Sequence, residues 1–280
     1  MEVFIKRKRR RIKKIGLALG GGGARGFAEI GVIKAFEENG ITFDFVAGTS
    51  VGSLVGAMYC FGKSSSEMIE FAKHLKESDI KKGMIPFVPS KTDGIKELIT
   101  GFVGNIKFSD LKIPFCAVAV DIKTGNEVHI TKGFIKDAVA GSCCVPGLFN
   151  PVKLDDYLLF DGGLQNTIPA DVPKLYDCDA VIGVDINSSR GNGTTSNKYI
   201  DLMMASISVM MKGNVIKGYL NSDIMIKPDM KRFKSTKFTG WQEMIEEGYK
   251  ATMELMPEIK KLMRKRKNKW FLPLFRRKKI

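Results

Sequence analysis

Three short segments of the chain hold residues whose types and spacing could do chemistry. In Gly48-Thr49-Ser50-Val51-Gly52, a serine has a glycine two positions to either side. Between a strand and a helix, such a turn lifts the serine hydroxyl clear of the backbone, and the glycines keep the strained turn free of clashes. The apolar runs FDFVA before it and LVGAMYCF after it supply that strand and helix. The same serine would also serve as an ordinary helix N-cap. In Gly20 to Gly26, GGGGARG, glycines gather several backbone N–H groups at the positive start of a helix, where an anion is stabilised. Gly21-x-Gly23-x-x-Gly26 matches a dinucleotide fingerprint, which also needs an acid about 20 residues further on at a strand end. Asp44 is near that distance but precedes the apolar part of its strand. An oxyanion hole and a plain glycine turn packed on a helix are the competing readings. Asp161-Gly162-Gly163 follows the apolar run YLLF. A carboxylate there stands at the rim where α/β sheets place ligands, or else closes a turn.

A nucleophilic serine needs a base, most often histidine. The chain has two, His74 in a Lys/Glu-rich helical stretch and His129 in a short strand, and neither has motif context. A Ser-His-Asp triad is poorly supported.

The positioning elements follow from the hydropathy pattern. Ile15 to Leu19 is a short continuous apolar run ending in glycines, which suits a strand buried on both faces. A helical period follows through Phe27, Ile30, Ile33 and Phe36 to the Asn39-Gly40 stop, then a strand at Phe43 to Ala47 and a helix at Leu54 to Phe61. Strand, helix, strand, helix implies parallel strands with right-handed crossovers. Further strands are expected at Ile113–Ile122, Glu127–Thr131, Tyr157–Phe160, Ala180–Ile186 and Asp223–Ile226. Helices are expected at Ser66–Lys76, Asp93–Phe102, Phe134–Ala140, Tyr199–Ile216 and Gln242–Arg266, with polar loops at 81–92 and 188–197. The Met-rich stretch Leu202 to Met211 could line a channel for flexible apolar chains; core packing is the favoured expectation.

Together, GGGARG after the first strand, GTSVG after the second and DGG about 110 residues later resemble the patatin-like phospholipase family. That family pairs a glycine-rich oxyanion loop and a GxSxG elbow with a DGG or DGA base, as a Ser-Asp dyad without histidine. The resemblance covers about Ile15 to Pro173 and includes the GSCCVPGLFNPV block, although the family often has alanine where Gly141 and Cys144 stand. It implies a three-layer α/β/α domain with a mostly parallel central sheet. Ser50 would be the nucleophile and Asp161 the general base. Gly21, Gly22, Gly23, Ala24, Arg25 and Gly26 would form the oxyanion loop, with the N–H groups of Gly22, Gly23 and Ala24 as donors and Arg25 in support. Gly48 and Gly52 complete the elbow, and Gly162 and Gly163 the base motif. The implied activity is hydrolysis of phospholipid or related lipid esters through an acyl-enzyme, with no cofactor or metal. An acyltransferase or thioesterase with the same dyad, and a non-catalytic binder of membrane or nucleic acid, are the alternatives.

Composition sets the surroundings. The 280 residues are 44% apolar and 27% charged, too apolar for intrinsic disorder and enough for one sizeable core. The net charge of +15 sits at the ends: residues 1–14 hold 8 basic side chains and one acid, and residues 257–280 hold 11 and one. The expected organisation is a basic arm at 1–14, a domain at 15–256 and a basic aromatic tail at 257–280. In that tail Trp270, Phe271, Leu272 and Phe275 stand between basic clusters, the composition of an interfacial membrane anchor. Anionic membrane is the expected partner of both ends, with no specific nucleic acid. Five cysteines without CxxC spacing fit reduced thiols, and no apolar run reaches the ~18 residues of a transmembrane helix. The expected location is therefore cytoplasmic, peripheral at the inner membrane face.

Overall fold

The computed structural model describes residues 12–76, 92–188 and 199–267. Most of the basic arm, the greater part of both polar loops, and the tail with Trp270, Phe271, Leu272 and Phe275 lie outside the described residues.

The first half of the chain alternates strand and helix: β1 (Ile15–Leu19), α1 (Phe27–Glu38), β2 (Phe45–Thr49), α2 (Val51–Phe61), α3 (Ser65–His74) and α4 (Asp93–Val103). Next come β3 (Phe115–Asp121), β4 (Glu127–Ile130), α5 (Ile135–Ser142) and the hairpin of β5 (Val152–Leu154) and β6 (Tyr157–Asp161). The rest is α6 (Val172–Leu175), β7 (Ala180–Val184), α7 (Tyr199–Met211), α8 (Val215–Asn221), β8 (Ile224–Ile226) and α9 (Trp241–Lys267). α9 continues through Pro257 and buries Ile259 and Leu262, so the helix crosses the expected boundary at residue 257.

The eight strands form one sheet along the path β5-β6-β3-β2-β1-β7-β8, with β4 also paired to β3. β3, β2, β1, β7 and β8 run parallel; β4 and β6 run antiparallel to β3, and β5 runs antiparallel to β6. The register around β3 positions the site. Ala117 and Val118 pair with both β2 and β4, so these two strands occupy opposite edges of β3. Ala119 and Val120 pair with both β4 and β6, so β6 shares the β2 edge. β2 ends at Thr49 opposite Val118, and β6 ends at Asp161 opposite Ala119. The two strands thus abut end to end.

The strands are continuous apolar runs because both faces are covered. Ile15, Leu17, Leu19 and Val46 enter the large core beneath α1, α2, α5 and α9, while Ala18, Phe45 and Ala47 face smaller clusters with Ile168, Val172 and Val215. Helices therefore flank the sheet on two sides, as a three-layer α/β/α arrangement requires. The expected helix at Tyr199–Ile216 is instead two, split by a 3-10 turn at Lys212–Asn214. Of its described apolar side chains, Leu202, Val209 and Met210 are exposed rather than packed as core, Ile207 is half-buried, and Met211 turns inward against Gly163.

Candidate active site

Ser50 follows the last residue of β2 with φ 52° and ψ −127°. Positive φ strains a residue with a Cβ, at a cost on the order of 1–3 kcal/mol, and persists only when the surroundings hold it. Tight packing and hydrogen bonds do so here. A Cβ on Gly48 would lie 2.3 Å from the Gly52 carbonyl oxygen, and one on Gly52 would lie 2.4 Å from that of Leu19. The Ser50 N–H donates to Ser142 Oγ at 2.9 Å, and Ser142 Oγ donates to the Val118 carbonyl at 2.6 Å. The Ser50 carbonyl accepts from Ser53 N–H at 2.8 Å and Ser53 Oγ at 2.6 Å. Ser50 occupies the N-cap of α2 without a side-chain capping bond, so capping does not consume its hydroxyl.

The β2 and β6 ends bring the Asp161 carboxyl to the Ser50 hydroxyl, which is near enough to favour its charged form. Asp161 Oδ1 accepts the Gly163 N–H at 2.8 Å, and the Asp161 N–H donates to the Cys144 carbonyl at 2.9 Å. The residue is 4% exposed. Burial pushes its pKa up from 3.8 to about 6, with the Ser50 and Gly163 hydrogen bonds pulling the other way.

The glycine loop passes over Ser50, and a Cβ on Gly21 would lie 3.3 Å from that of Ser50. Its N–H groups are not equivalent. Gly21 donates to the Thr167 carbonyl at 2.9 Å and Ala24 to that of Ser235 at 2.8 Å. Among the described residues the Gly22 and Gly23 N–H groups have no partner, so the expected donor set of Gly22, Gly23 and Ala24 narrows to the first two. Arg25 is buried: its Nε and Nη2 donate to the Phe233 carbonyl at 3.1 and 2.8 Å, and its Nη1 to Asn187 Oδ1 at 2.9 Å. Asn187 in turn donates to the Gly21 carbonyl at 2.6 Å. A Cβ on Gly26 would strike Val51 at 2.1 Å, so this glycine lets the loop close onto the elbow. The dinucleotide reading fails on position. Asp44 caps the Ile15 N–H at the start of β1, at 2.7 Å, while the glycines lie at its end.

A cavity of about 310 Å3 opens at Ser50. Val51, Leu54, Val55 and Met58 line it along α2, Phe71 along α3 and Phe149 opposite, and its wall is almost wholly apolar. From Ser50 to Met58 is eight residues of helix, about 12 Å.

Two supports of the site have no motif to mark them. Ser142 is one, inside the GSCCVPG block. Asn166, fully buried, accepts the Thr49 hydroxyl at its carbonyl, 2.8 Å, and donates its amide to Glu127 and Asp171 at 2.9 and 2.8 Å. Lys217 bridges those two carboxylates at 2.9 and 2.8 Å. Burial opposes the charge on Glu127, yet bonds from His129, Asn166 and Lys217 hold its pKa down at about 2. His129 is thus committed to Glu127 at 2.7 Å, and His74 lies beside Glu70 at 3.3 Å. Among the described residues no group of three His, Cys, Asp or Glu side chains forms a metal site, and no disulfide joins the cysteines.

Comparison with known proteins gives a consistent picture. The family model for patatin-like phospholipase matches residues 17–174. An uncharacterised NTE family protein of Mycobacterium tuberculosis is 33% identical over 180 residues, 63% of this chain and 50% of that one. The neuropathy target esterase sws of Drosophila melanogaster is 28% identical over 298 residues, covering 92% of this chain and 20% of its own. The chain spans about half the length, or less, of these curated relatives. Among solved structures, VipD from Legionella pneumophila superposes with a TM-score of 0.60 at 14% identity, over 89% of this chain and 67% of that one.

Proposed function

The chain belongs to the patatin-like phospholipase family, and from that premise we propose that it is a serine lipid acyl hydrolase acting on esters of phospholipids or related lipids. One observation carries the reading: a strained serine hydroxyl stands between a buried carboxylate, its pKa pushed up to about 6, and an apolar cavity of about 310 Å3.

In this reading the acyl chain lies along α2 and the ester carbonyl sits over Ser50. Ser50 Oγ attacks the carbonyl carbon while Asp161 takes the hydroxyl proton. The Gly22 and Gly23 N–H groups hold the oxyanion of the tetrahedral intermediate, and Arg25 keeps their loop in place through Phe233 and Asn187. Collapse expels the alcohol, which leaves with the proton from Asp161. Water then attacks the acyl-enzyme, giving its proton to Asp161, and the second collapse returns that proton to Ser50 Oγ as the fatty acid departs. An aspartate with an unshifted pKa is a feeble base near pH 7; desolvation makes Asp161 a better one. Two preorganised donors contribute several kcal/mol, on the order of 3 each, to the transition state. We place the protein in the cytoplasm as a peripheral membrane protein, with its basic ends on anionic lipid. Among the described residues no helix is long and apolar enough to cross a membrane.

The test compares hydrolysis of a medium-chain p-nitrophenyl ester by wild type, Ser50→Ala and Asp161→Asn, each checked for folding by circular dichroism. Loss of activity in both folded variants, with stoichiometric fluorophosphonate labelling of wild-type Ser50, is the expected result. Retention of wild-type activity by either variant overturns the assignment.

A further inference from the structure

α7 and α8 each press one side against the catalytic end of the sheet and turn large apolar side chains the other way. In α7, a Cβ on Gly163 would meet Met211 Cε at 2.2 Å, so Met211 faces the base motif. Leu202 and Val209 lie about 160–180° round the helix axis from Met211. They are 47% and 58% exposed, and Met210 beside them is 75% exposed. In α8, Gly218 lies against Ile168, where a Cβ would come within 2.6 Å. Ile216 and Leu220, two residues to either side, therefore point outward and are 63% and 78% exposed. Single exposed apolar residues are ordinary. Five on the outward sides of two consecutive helices are not, and such a patch marks a docking surface.

The charges beside it indicate the occupant. Lys174 Nζ rests on the Asn221 side-chain oxygen at 3.3 Å, and Lys227 Nζ stands 5.6 Å from the Tyr219 ring centroid. Both partners are neutral, so these cations keep their full charge for an external anion. Of the carboxylates beside them, Glu127 and Asp171 are paired with Lys217 and Asp185 is 2% exposed, which leaves the exposed Asp223, held by the neutral Val181 N–H, against the two lysines. Apolar side chains bordered by lysines match the headgroup boundary of an anionic bilayer, where aliphatic groups enter the acyl region and ammonium groups meet phosphate.

We propose that the outward face of α7 and α8 docks on an anionic phospholipid surface and holds the catalytic end of the sheet against it. The choice of a bilayer over another apolar partner rests on the lipid-hydrolase reading. Binding is read apart from turnover, so the two can fail separately.

The experiment uses the full chain carrying Ser50→Ala, sedimented with vesicles of equal parts phosphatidylcholine and phosphatidylserine. Val209→Asp with Leu220→Asp alters two exposed positions and is checked for folding by circular dichroism. The expected outcome is a fall in vesicle affinity of about tenfold or more, from two lost apolar insertions and two added negative charges. In the chain that retains Ser50, the same pair should keep short-chain ester hydrolysis within about twofold, since neither residue lines the cavity. Unchanged vesicle affinity, or no vesicle binding by the parent protein, overturns the proposal. So does a parent that sediments as a dimer and becomes monomeric in the double variant, because the face then joins two copies of this chain.

Discussion

Ser50 and Asp161 meet because the strands that carry them stop against the same edge of β3, Thr49 facing Val118 and Asp161 facing the next residue, Ala119. Neighbouring positions on one strand thus gather two groups 111 residues apart in sequence. Neither group sits on a long loop. Asp161 is fixed by sheet pairing and by the Gly163 and Cys144 bonds, and Ser50 by Ser142 and Ser53. The carboxyl therefore stays in a desolvated place, and its raised pKa has two separate consequences.

The first is kinetic. In the proposed mechanism Asp161 must be ionised to accept the Ser50 proton, and burial pushes its pKa up to about 6. kcat/KM for a soluble ester should rise with unit slope below about pH 6 and level off above it. p-Nitrophenol release followed at an isosbestic wavelength gives the profile directly. A flat profile between pH 5 and 8 would take the role of base away from Asp161.

The second concerns stability. A carboxyl whose pKa is raised on folding stabilises the native state fully below its unfolded value, near 3.8, and loses that contribution as pH rises through about 6. Ionised Asp161 then costs on the order of 2–3 kcal/mol. Asp161→Asn keeps an acceptor for the Gly163 N–H and removes the charge, so its stability relative to wild type should improve by that amount between pH 4 and pH 8. Urea unfolding at the two pH values measures the change. No pH dependence in the difference would mean that solvent reaches the carboxyl.

A third prediction concerns the cavity. Met58 lines it two helical turns from Ser50, so Met58→Trp should shorten the usable length. Hydrolysis of long-chain p-nitrophenyl esters should fall about tenfold or more relative to short-chain esters, through KM and kcat together. A uniform loss at every chain length would place the acyl group elsewhere.

Local chemistry is what the amino-acid sequence makes legible. Glycines around Ser50 and after Asp161, and apolar runs such as Ile15 to Leu19, fix turns and strands through neighbouring residues alone. Ser142 and Asn166 are not legible in the same way, because their roles depend on contacts with residues 92 and 117 positions away. The availability of the Ala24 N–H depends on Ser235, more remote still. α7 misleads for a different reason: composition alone does not say whether Leu202, Val209 and Met210 face a core or the surface. Gly213, inside the 3-10 turn, is the local sign that the helix breaks.

Three residue pairs hold β6 to β3 and three hold it to β5. A one-residue slip along β3 would carry the Asp161 carboxyl to the opposite face of the sheet while leaving the helices and most of the core intact. During refolding, compactness and helix content can therefore recover before any catalyst exists. The return of Ser50 reactivity toward a fluorophosphonate becomes a clock for the β3–β6 register, which is set separately from the more sequence-distant pairing of β1 with β7.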